Sequence, residues 1–510
     1  MDQPDPNDPA LLQRLRDAAA ILAEVARDRT LLLSLPDAER DRLLQSAGHV
    51  YCPDVQARRR LVRARSKQRR AQQREEDQQL LDETGIRKLR RQPVFTTPNL
   101  EPPADDQQPA AADDATGRPH TEPRTCYICK RGYTEVHTFY DQLCPPCADL
   151  NWHKRGELTD LRGTVALLTG GRVKIGYQAG IKLLRCGVKL IVSTRFPRDA
   201  AVRYAAEPDF EQWRDRLVIH GLDLRHTPSV EAFCRHLLAT ESRLDFVINN
   251  ACQTVRRPPA FYEHMMARET GTLQQLPQTA QSLLGPYEGL RTYHMLPEAP
   301  HGTAAALAGL THAAELSQVP LTEEDRLAAA HLFPQGLLDQ DLQQVDLRER
   351  NSWRLLAHEV SAVELLEVQL INAIAPFLLN ARLKPLMLRA PGRGKHIVNV
   401  SAVEGQFYRR WKTTRHPHTN MAKAALNMLT RTAAADYVQD GIHMNAVDTG
   451  WVTDEDPLQL ASRKRQEHAF HPPLDIVDGA ARIVDPIIHG HATGEHLWGK
   501  FLKDYMPADW

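Results

Sequence analysis

The sequence predicts an α/β fold with a doubly wound parallel sheet, preceded by an α-helical N-terminal region and a small metal-binding module. After Thr164, short apolar strands alternate with helical segments, which is the pattern of parallel strands joined by right-handed helical crossovers. A glycine-rich turn follows the first of these strands, and two CxxC pairs precede the α/β region. The chain of 510 residues is long enough for roughly two to four folded units.

Composition and charge predict an intracellular, cytoplasmic protein. The 64 basic residues balance the 64 acidic ones, so global charge indicates no polyanionic partner. Residues 1–8 are acidic and rich in proline, unlike a signal peptide. No apolar run approaches the ~18 residues that span a bilayer, so we expect no membrane contact. Eight cysteines, four of them in CxxC pairs, fit a reducing compartment and a metal site.

Residues 1–91 are predicted to form a helical N-terminal region. Leucines recur at helical spacing up to about residue 47, and the strongly charged segment from Asp54 to Arg91 predicts a long exposed helix. The basic run 58–74 has few aromatic residues and continues into acidic ones, so we interpret it as a solvated face without a nucleic-acid partner. Residues 92–124 repeat Pro, Asp, Ala and Gln, which predicts a disordered linker.

Residues 125–155 carry a specific metal-site pattern. Cys126 and Cys129 form one CxxC pair, and Cys144 and Cys147 form the second, 14 residues further on. Each pair directs two thiolates toward one tetrahedral ion, so we predict structural zinc, with a redox dithiol pair as the alternative. Four thiolates complete the shell and leave no catalytic position. Similar modules bind proteins or brace a neighbouring domain, so a protein partner is one expectation.

The α/β domain is predicted over residues 160–510. Its strand candidates are Val165–Thr169, Leu190–Thr194, Leu217–Gly221, Phe246–Asn249, His396–Ser401 and Ile442–Val447. Almost 150 residues separate the fourth strand from the fifth, about three times what one helix and its loops need. The excess, about residues 258–353, is predicted to be an insertion at the top of the sheet.

A dinucleotide site is predicted after the first strand. The segment TGGRVKIG (169–176) leads into a helix near Tyr177, and such turns let backbone amides and a helix N-terminus meet a pyrophosphate. Four further motifs follow the later strands in order. They are TRF (194–196), GLDLRH (221–226), NNAC (249–252) and NAVDTGWVT (445–453).

This ordered set of motifs resembles the short-chain dehydrogenase/reductase family over residues 160–510, about 350 residues. The resemblance implies a Rossmann fold, nicotinamide dinucleotide binding and a homo-oligomer. It places Asp223 at the adenine, and Val452 and Thr453 along the nicotinamide. The implied cofactor-binding residues are Thr169, Gly170, Gly171, Arg172, Lys174, Ile175, Gly176, Arg195, Asp223, Leu224, Asn250, Ala251, Lys423, Val452 and Thr453.

Two basic residues favour NADP(H) over NAD(H). Arg195 follows the second strand, where an acidic residue would hydrogen-bond a free 2′-hydroxyl, and an arginine suits a 2′-phosphate. Lys174 stands where the family usually has glycine, similar to the pteridine-reductase branch, in which a basic residue assists the phosphates.

The family's catalytic Asn, Ser, Tyr and Lys are only partly matched. Asn372 and Lys423 fit the pattern, but Thr419 stands where the tyrosine is expected, and the serine position aligns with Ala402 rather than Ser401. An aliphatic hydroxyl has a pKa far above the phenol's ~10, so Thr419 is a poor proton donor. The loop 406–419 offers Tyr408, His416 and His418 instead.

Two functions remain open at this stage. Basic residues after the fourth and fifth strands (Arg256, Arg257, Arg409, Arg410, Lys412 and Arg415) would favour a small anionic substrate. The first function is therefore an NADP(H)-dependent oxidoreductase acting on an anionic carbonyl or imine, with the insertion as a lid. The second is a catalytically inactive NADP(H)-binding scaffold or sensor.

Overall fold

The computed structural model describes residues 8–98, 119–288, 312–326, 331–409, 412–468 and 471–510. The chain divides into two compact units, Met1–Gln79 and Leu80–Trp510. Residues 99–118 of the expected linker and Arg410 of the expected basic cluster lie outside the described residues.

The first unit is helical. It contains α1 (Pro9–Arg27), α2 (Asp37–Tyr51) and most of α3 (Val55–Asp82). The Asp8 carboxylate accepts a hydrogen bond from the Ala10 N–H and so caps the N-terminus of α1. The basic side chains along α3 are exposed, as expected for a helix with few apolar anchors.

The second unit contains a small two-stranded sheet and an eight-stranded sheet in the order β10-β9-β8-β7-β6-β3-β4-β5. All neighbouring strands of the large sheet are parallel except β9 and β10. This topology confirms the predicted doubly wound fold. The strands are β1 (Pro119–Thr125), β2 (Gly132–Glu135), β3 (Val165–Thr169), β4 (Lys189–Thr194), β5 (Leu217–Gly221), β6 (Phe246–Asn249), β7 (Lys395–Ser401), β8 (Ile442–Asp448), β9 (Phe501–Lys503) and β10 (Met506–Ala508).

Helices cover both faces of the large sheet. Alternate residues of β3 enter two different cores: Ala166 and Leu168 pack in one, Val165 and Leu167 in the other. The helices of this unit are α4 (Gly85–Arg91), α5 (Pro145–Gly156), α6 (Lys174–Arg185), α7 (Pro197–Ala205), α8 (Thr227–Thr240), α9 (Pro259–Thr270), α10 (Gln278–Leu283), α11 (Ala313–Leu316), α12 (Ala362–Gln369), α13 (Ala375–Arg389), α14 (Pro417–Tyr437), α15 (Leu458–His468) and α16 (Ile476–Thr493).

The sequence analysis expected no apolar run long enough to span a bilayer, and the structure corrects that expectation. Such a run extends from α12 through a π-helical turn (Leu370–Ile374) into α13. This 28-residue segment, Ala362–Arg389, is long and apolar enough to cross a membrane by length and composition, and half of its most apolar window is buried inside the protein. The buried side chains, such as Leu379 and Leu383, pack against α8 in the core. The apolar composition therefore serves core packing on one side of the helix.

The insertion packs over the end of β4, the second strand of the α/β domain. Phe261, Tyr262 and Met265 of α9 cluster with Phe333 around Phe196, which follows β4. The expected linker also contributes to this unit where it is described, because the N–H of Phe95 donates to the carbonyl of Gln340 at 2.9 Å.

The cysteine module is attached to the α/β domain by a buried ionic network. Arg155, on α5, lies 2.6 Å from the Asp475 carboxylate and 3.0 Å from that of Asp478. The Tyr140 hydroxyl donates to Asp478 at 2.5 Å. Asp475 also caps α16 by accepting the N–H groups of Val477 and Asp478. The module is thus fixed at the N-terminus of the last long helix.

Replacing Arg155 is expected to destabilise the second unit strongly. The R155A variant leaves two buried carboxylates without their cation, a change that costs about 3–5 kcal/mol in proteins. Urea unfolding measures the loss. As the control, R162A removes an exposed arginine paired with exposed Asp160 and leaves the midpoint unchanged. Equal midpoints for R155A and R162A would show that the network is not a structural anchor.

Candidate active site

A cavity of about 920 Å³ opens beyond the carboxyl ends of the parallel strands, where ligands bind in doubly wound folds. Most of the predicted site residues line it. They are Gly170, Arg172, Lys174, Ile175, Gly176, Arg195, Asp223, Leu224, Asn250, Ala251, Ser401, Tyr408, Lys423, Val452 and Thr453.

The glycine-rich loop is held from behind by the NNAC segment. Asn250 Nδ2 donates to the carbonyls of Thr169 and Gly170 at 3.0 and 3.2 Å. Gly170 has φ of +70°, and a Cβ on Gly176 would lie 2.3 Å from the Gly170 oxygen. Only glycine allows this approach, which leaves the start of α6 open to a phosphate. Thr169 and Gly171 are fixed behind the loop. Thr169 Oγ1 accepts the Ala251 N–H at 3.0 Å, and the Gly171 carbonyl accepts the Tyr204 hydroxyl at 2.9 Å.

Lys174 takes the expected glycine position with φ of +55°. Burial lowers the pKa of Lys174, but the carboxylates of Glu455, Asp341 and Asp339 raise it by a larger amount. The pKa of Lys174 therefore lies above its usual value. The reciprocal effect of Lys174 holds the pKa of buried Glu455 below its usual value despite the burial. The lysine is therefore charged and already faces carboxylates from the insertion and from the segment after β8.

Arg195 is positioned for an anion at the end of β4. Its Nη2 donates to the Tyr262 hydroxyl at 2.7 Å, and the guanidinium lies 4.7 Å from the centre of the Tyr262 ring. Within the described part of the chain, no carboxylate oxygen lies within 4 Å of it. Asp223 is instead paired with Arg225 at 2.7 Å, which fixes the carboxylate at the wall of the cavity.

Arg172 lines the cavity, but its guanidinium is already paired with a carboxylate. Its Nη1 lies 2.7 Å from the carboxylate of Asp199 on α7, and Nη2 donates to Gln343 of the insertion at 3.5 Å. This residue braces the phosphate loop against the insertion.

Lys423 and Ser401 are both engaged in hydrogen bonds. Lys423 Nζ donates to the Val400 carbonyl at 2.8 Å, and Ser401 Oγ donates to Asn427 Oδ1 at 2.5 Å. Thr419, one helical turn before Lys423, is 2% exposed, and its hydroxyl has no hydrogen-bond partner among the described residues. No phenol stands at this turn to be activated by the lysine.

Asn372 lies in the π-helical turn and acts on the backbone. Its Oδ1 accepts the Gln253 N–H at 2.8 Å, and its Nδ2 donates to the Gln253 carbonyl at 3.1 Å. The side chain is 1% exposed and holds the loop after β6. A π-bulge at such a position is common near functional sites.

The three candidate proton donors of loop 406–419 separate in space. Tyr408 is 55% exposed and lines the cavity. His418 is 1% exposed, with Nε2 3.4 Å from buried Glu364, and does not line the cavity. His416 stacks on Trp353 at 3.8 Å, beside a smaller cavity, and burial lowers its pKa to about 4. Tyr408 is the one of the three that can reach a ligand in the main cavity.

Two members of the expected basic cluster are already paired with carboxylates. Arg256 is paired with Asp325 at 2.7 Å and with Glu367 at 3.0 Å. Arg257 is paired with Asp346. Asp325 and Asp346 belong to the insertion, whose contacts sequence spacing did not predict. Lys412 donates to the Glu404 carbonyl and Arg415 to that of Arg354, at 2.5 and 2.7 Å.

Several cavity residues were missed by the sequence analysis. Tyr127 and Lys130 of the cysteine module line the cavity, and the Tyr127 hydroxyl accepts the Trp451 N–H at 3.0 Å. Glu404 and Asp448 also line it. Burial, with a further contribution from Asp448, raises the pKa of Glu404. Asp448 lies in the NAVDTGWVT motif and Tyr127 in the first CxxC pair, but neither motif assigned these side chains to the cleft. The docking of the module and the fold of the loops bring the four residues there.

The four CxxC cysteines converge on one point. Their sulfur atoms all lie within 4.8 Å of one another, and Cys129 and Cys144 Sγ are 3.6 Å apart. The first pair lies in the turn between β1 and β2, and the second begins α5. Tetrahedral zinc with Zn–S of about 2.3 Å requires sulfurs about 3.8 Å apart, so this cluster fits such an ion.

Comparison with known proteins gives matches to one family model, to curated relatives and to solved structures. The family model described as Enoyl-(Acyl carrier protein) reductase matches residues 353–472. An uncharacterised protein of Acanthamoeba polyphaga mimivirus is 31% identical over 396 residues, 75% of each chain. A solved short-chain dehydrogenase from Burkholderia cenocepacia, in complex with NADP, has a TM-score of 0.41 and 15% identity and covers 68% of this chain and 97% of that one.

One relative carries the family's name. Dehydrogenase/reductase SDR family member 13 of Bos taurus is 33% identical over 128 residues, which are 24% of this chain and 32% of that protein. The chain thus spans about a third of the length of this relative. The family-model match, over residues 353–472, lies within the domain that carries the parallel sheet. Over these stretches the protein is therefore similar to members of the short-chain dehydrogenase/reductase family.

Proposed function

We propose that the protein is an NADP(H)-dependent oxidoreductase in which Tyr408 replaces the usual proton donor. One observation carries this proposal: the nucleotide side of the cleft keeps its glycine loop, Arg195 and Lys423, and a phenol from another loop lines the same cavity. When bound, NADPH supplies a hydride from its nicotinamide ring. The cleft's own residues bind the dinucleotide, orient it and supply the proton.

The nucleotide-binding roles follow from the positions of the donors. The backbone amides at the start of α6 and the charged Lys174 side chain would hold the pyrophosphate. Arg195, with its ring neighbour Tyr262 and without a carboxylate partner in the described residues, would hold a 2′-phosphate. Lys423, buried beside Val400, would hold the ribose.

NADPH is expected to bind more tightly than NADH, and R195A should remove the difference. A hydrogen bond to a charged phosphate contributes about 1.5–3 kcal/mol, which corresponds to about 10- to 100-fold in the dissociation constant. Isothermal titration of both cofactors into wild type and R195A measures it. NADH affinity is the internal control, because it should not change. Equal affinities of the wild type for both cofactors would remove the preference for NADP(H).

Tyr408 suits the proton-donor role by chemistry and by place. A phenol has a usual pKa near 10 and can exchange a proton with a developing alkoxide, which the aliphatic hydroxyl of Thr419 cannot do at neutral pH. The loop that carries Tyr408 begins with Val403–Gly405, which packs on α14, so closely that a Cβ on Gly405 would lie 2.7 Å from the Lys423 carbonyl carbon. The loop therefore starts next to the retained lysine.

The Y408F variant is expected to lower NADPH turnover by at least ~100-fold, the contribution of a positioned general acid. Activity is measured against a panel of carbonyl and imine acids. K423A should abolish turnover, and H418Q should retain it because His418 lies outside the cavity. Y51F, which removes an exposed hydroxyl of the first unit, is the matched control. Full activity of Y408F with inactive K423A would refute Tyr408 as the donor.

The alternative function, an inactive NADP(H)-binding scaffold or sensor, is favoured by a different observation. Thr419 is not a usable proton donor, and Lys423 is hydrogen-bonded to a backbone carbonyl. Carboxylates already face Lys174. An inactive protein would bind NADPH without oxidising it in the presence of any panel member or cell extract. The same assay therefore separates the two functions.

An anionic carbonyl or imine is the proposed substrate class. Arg409 and Lys130 line the cavity, and neither has a carboxylate oxygen within 4 Å in the described part of the chain. These two cations, from the loop after β7 and from the cysteine module, would hold the anionic group in place of Arg256 and Arg257.

We further propose that the cysteine cluster binds structural zinc and that the protein is a cytoplasmic homo-oligomer. The sulfur spacing supports the metal, and free thiols throughout the described residues suit a reducing compartment. Exposed apolar side chains on α13 and α14, among them Phe377, Met421 and Met428, support association between copies. The exposed surface of the cysteine module offers a site for a protein partner.

Changing one cysteine of the cluster is expected to remove one zinc per chain. The C126S variant lacks a buried ligand, so its zinc content should be one equivalent below that of wild type by elemental analysis, with a lower melting temperature. C52S alters an exposed cysteine of the first unit and is the control. Equal zinc in C126S and wild type would exclude the four-thiolate site.

A further inference from the structure

Three histidines meet at the amino ends of the sheet, on the side opposite the cleft. His396 is the second residue of β7, His443 is the second residue of β8, and the two are register partners. His496 comes from the segment between α16 and β9. One ring nitrogen of each lies within 4.8 Å of those of the other two.

The rings are held in a fixed arrangement. His396 Nε2 and His496 Nδ1 are 2.9 Å apart. His443 Nδ1 is 3.2 Å from the Lys395 carbonyl, to which it can donate, so its Nε2 remains available as a ligand. A backbone carbonyl on the second ring nitrogen is the usual way in which proteins orient a metal-binding histidine.

Two glycines leave room beside these nitrogens. A Cβ on Gly490 of α16 would lie 2.4 Å from His496 Nδ1 and 3.1 Å from His396 Nε2. A Cβ on Gly394 would lie 3.2 Å from the Cε1 atom of His496. Any other residue at position 490 would occupy the space next to the two nitrogen atoms that face each other.

Burial keeps solvent from hydrogen-bonding to the ring nitrogens at the centre of this cluster. His396 is fully buried, and its Nδ1 has no hydrogen-bond partner among the described residues. Neutral imidazoles keep the lone pairs that bind metals.

We propose that His396, His443 and His496 form a second metal site, for a divalent transition ion such as Zn²⁺. The ion would join the segment before β9 to the amino ends of β7 and β8. Imidazole nitrogens suit zinc, copper and nickel. Nitrogens bound to tetrahedral zinc lie about 3.3 Å apart, so the His396–His496 pair opens by a few tenths of an ångström on binding. His491, whose ring centre is 5.5 Å from that of His496, lies near enough for a water-mediated fourth contact.

The ion would stabilise the end of the chain. His496 lies a few residues before β9, which pairs with β8, and Lys503 at the end of β9 lines the cleft. An ion joining His496 to the first residues of β7 and β8 fixes this segment at its start. Binding only to the folded state raises the melting temperature with metal concentration.

The test is a titration of Zn²⁺ into the full-length protein after its cysteine cluster has been filled with one equivalent. We expect a second binding event in wild type. H496Q, at a half-buried position, and H443Q should each weaken that event at least ~100-fold, more than the loss of a supporting contact around a metal. H358Q, an exposed histidine elsewhere, should leave it unchanged. Circular dichroism establishes that each variant folds.

Co²⁺ identifies the ligands. Bound at this site it should give visible d–d bands without the thiolate charge-transfer band of the cysteine cluster, and H496Q should lose these bands. The melting temperature of wild type should rise with Zn²⁺ and that of H496Q should not. Absence of a second event in wild type, or an equal event in folded H496Q, would overturn the proposal.

Discussion

The buried Arg155 guanidinium holds the N-terminus of α16 against the cysteine module, and much of the molecule depends on that helix. Asp475 and Asp478, which receive the arginine, also form the cap of α16. One turn further on, Gly479 lets the helix approach Ile175 of the phosphate loop and Val452 of the nicotinamide side, where a Cβ would meet them at 3.0 and 3.2 Å. The ionic network thus sets the position of the glycine-rich loop and of the segment after β8, and it ties the cysteine module to the cleft.

Charge compensation is the second constraint on the cleft. The insertion and the segment after β8 supply carboxylates to the basic residues that the motifs place there: Glu455 to Lys174, Asp325 to Arg256, and Asp346 to Arg257. Buried cations require such partners, because an unpaired charge in a closed site is costly. Arg195 keeps an aromatic hydroxyl instead of a carboxylate, and it is therefore the cation best able to accept a 2′-phosphate.

Sequence patterns predicted the parallel sheet closely, because each strand is a short apolar run followed by a motif. The predicted strand after the first crossover differs from β4 only by Lys189, and β9 and β10 were missed because three residues are too few for an alternation pattern. Side chains tied to the glycine loop, such as Asn250, could be placed from the motif alone. Tyr127, Glu404 and the partners of Arg256 could not, because they depend on how the module, the insertion and the loops fold over the sheet.

The histidine cluster also could not be predicted from local sequence patterns. His396, His443 and His496 are 100 residues apart from first to last, and no local spacing connects them. Strand register brings two of them together, and the turn after α16 brings the third. A sequence scan for closely spaced ligands, which found the four cysteines, has no signal for such a site.

A crystal structure of the protein with NADPH bound tests the central claim most directly, namely that this cleft holds the dinucleotide with Tyr408 at the nicotinamide. We predict the pyrophosphate along the glycine loop, the 2′-phosphate on Arg195, and the Tyr408 hydroxyl within hydrogen-bond reach of the space in front of the nicotinamide ring. An empty cleft at saturating NADPH, or a bound dinucleotide with Tyr408 turned to solvent, would contradict the account.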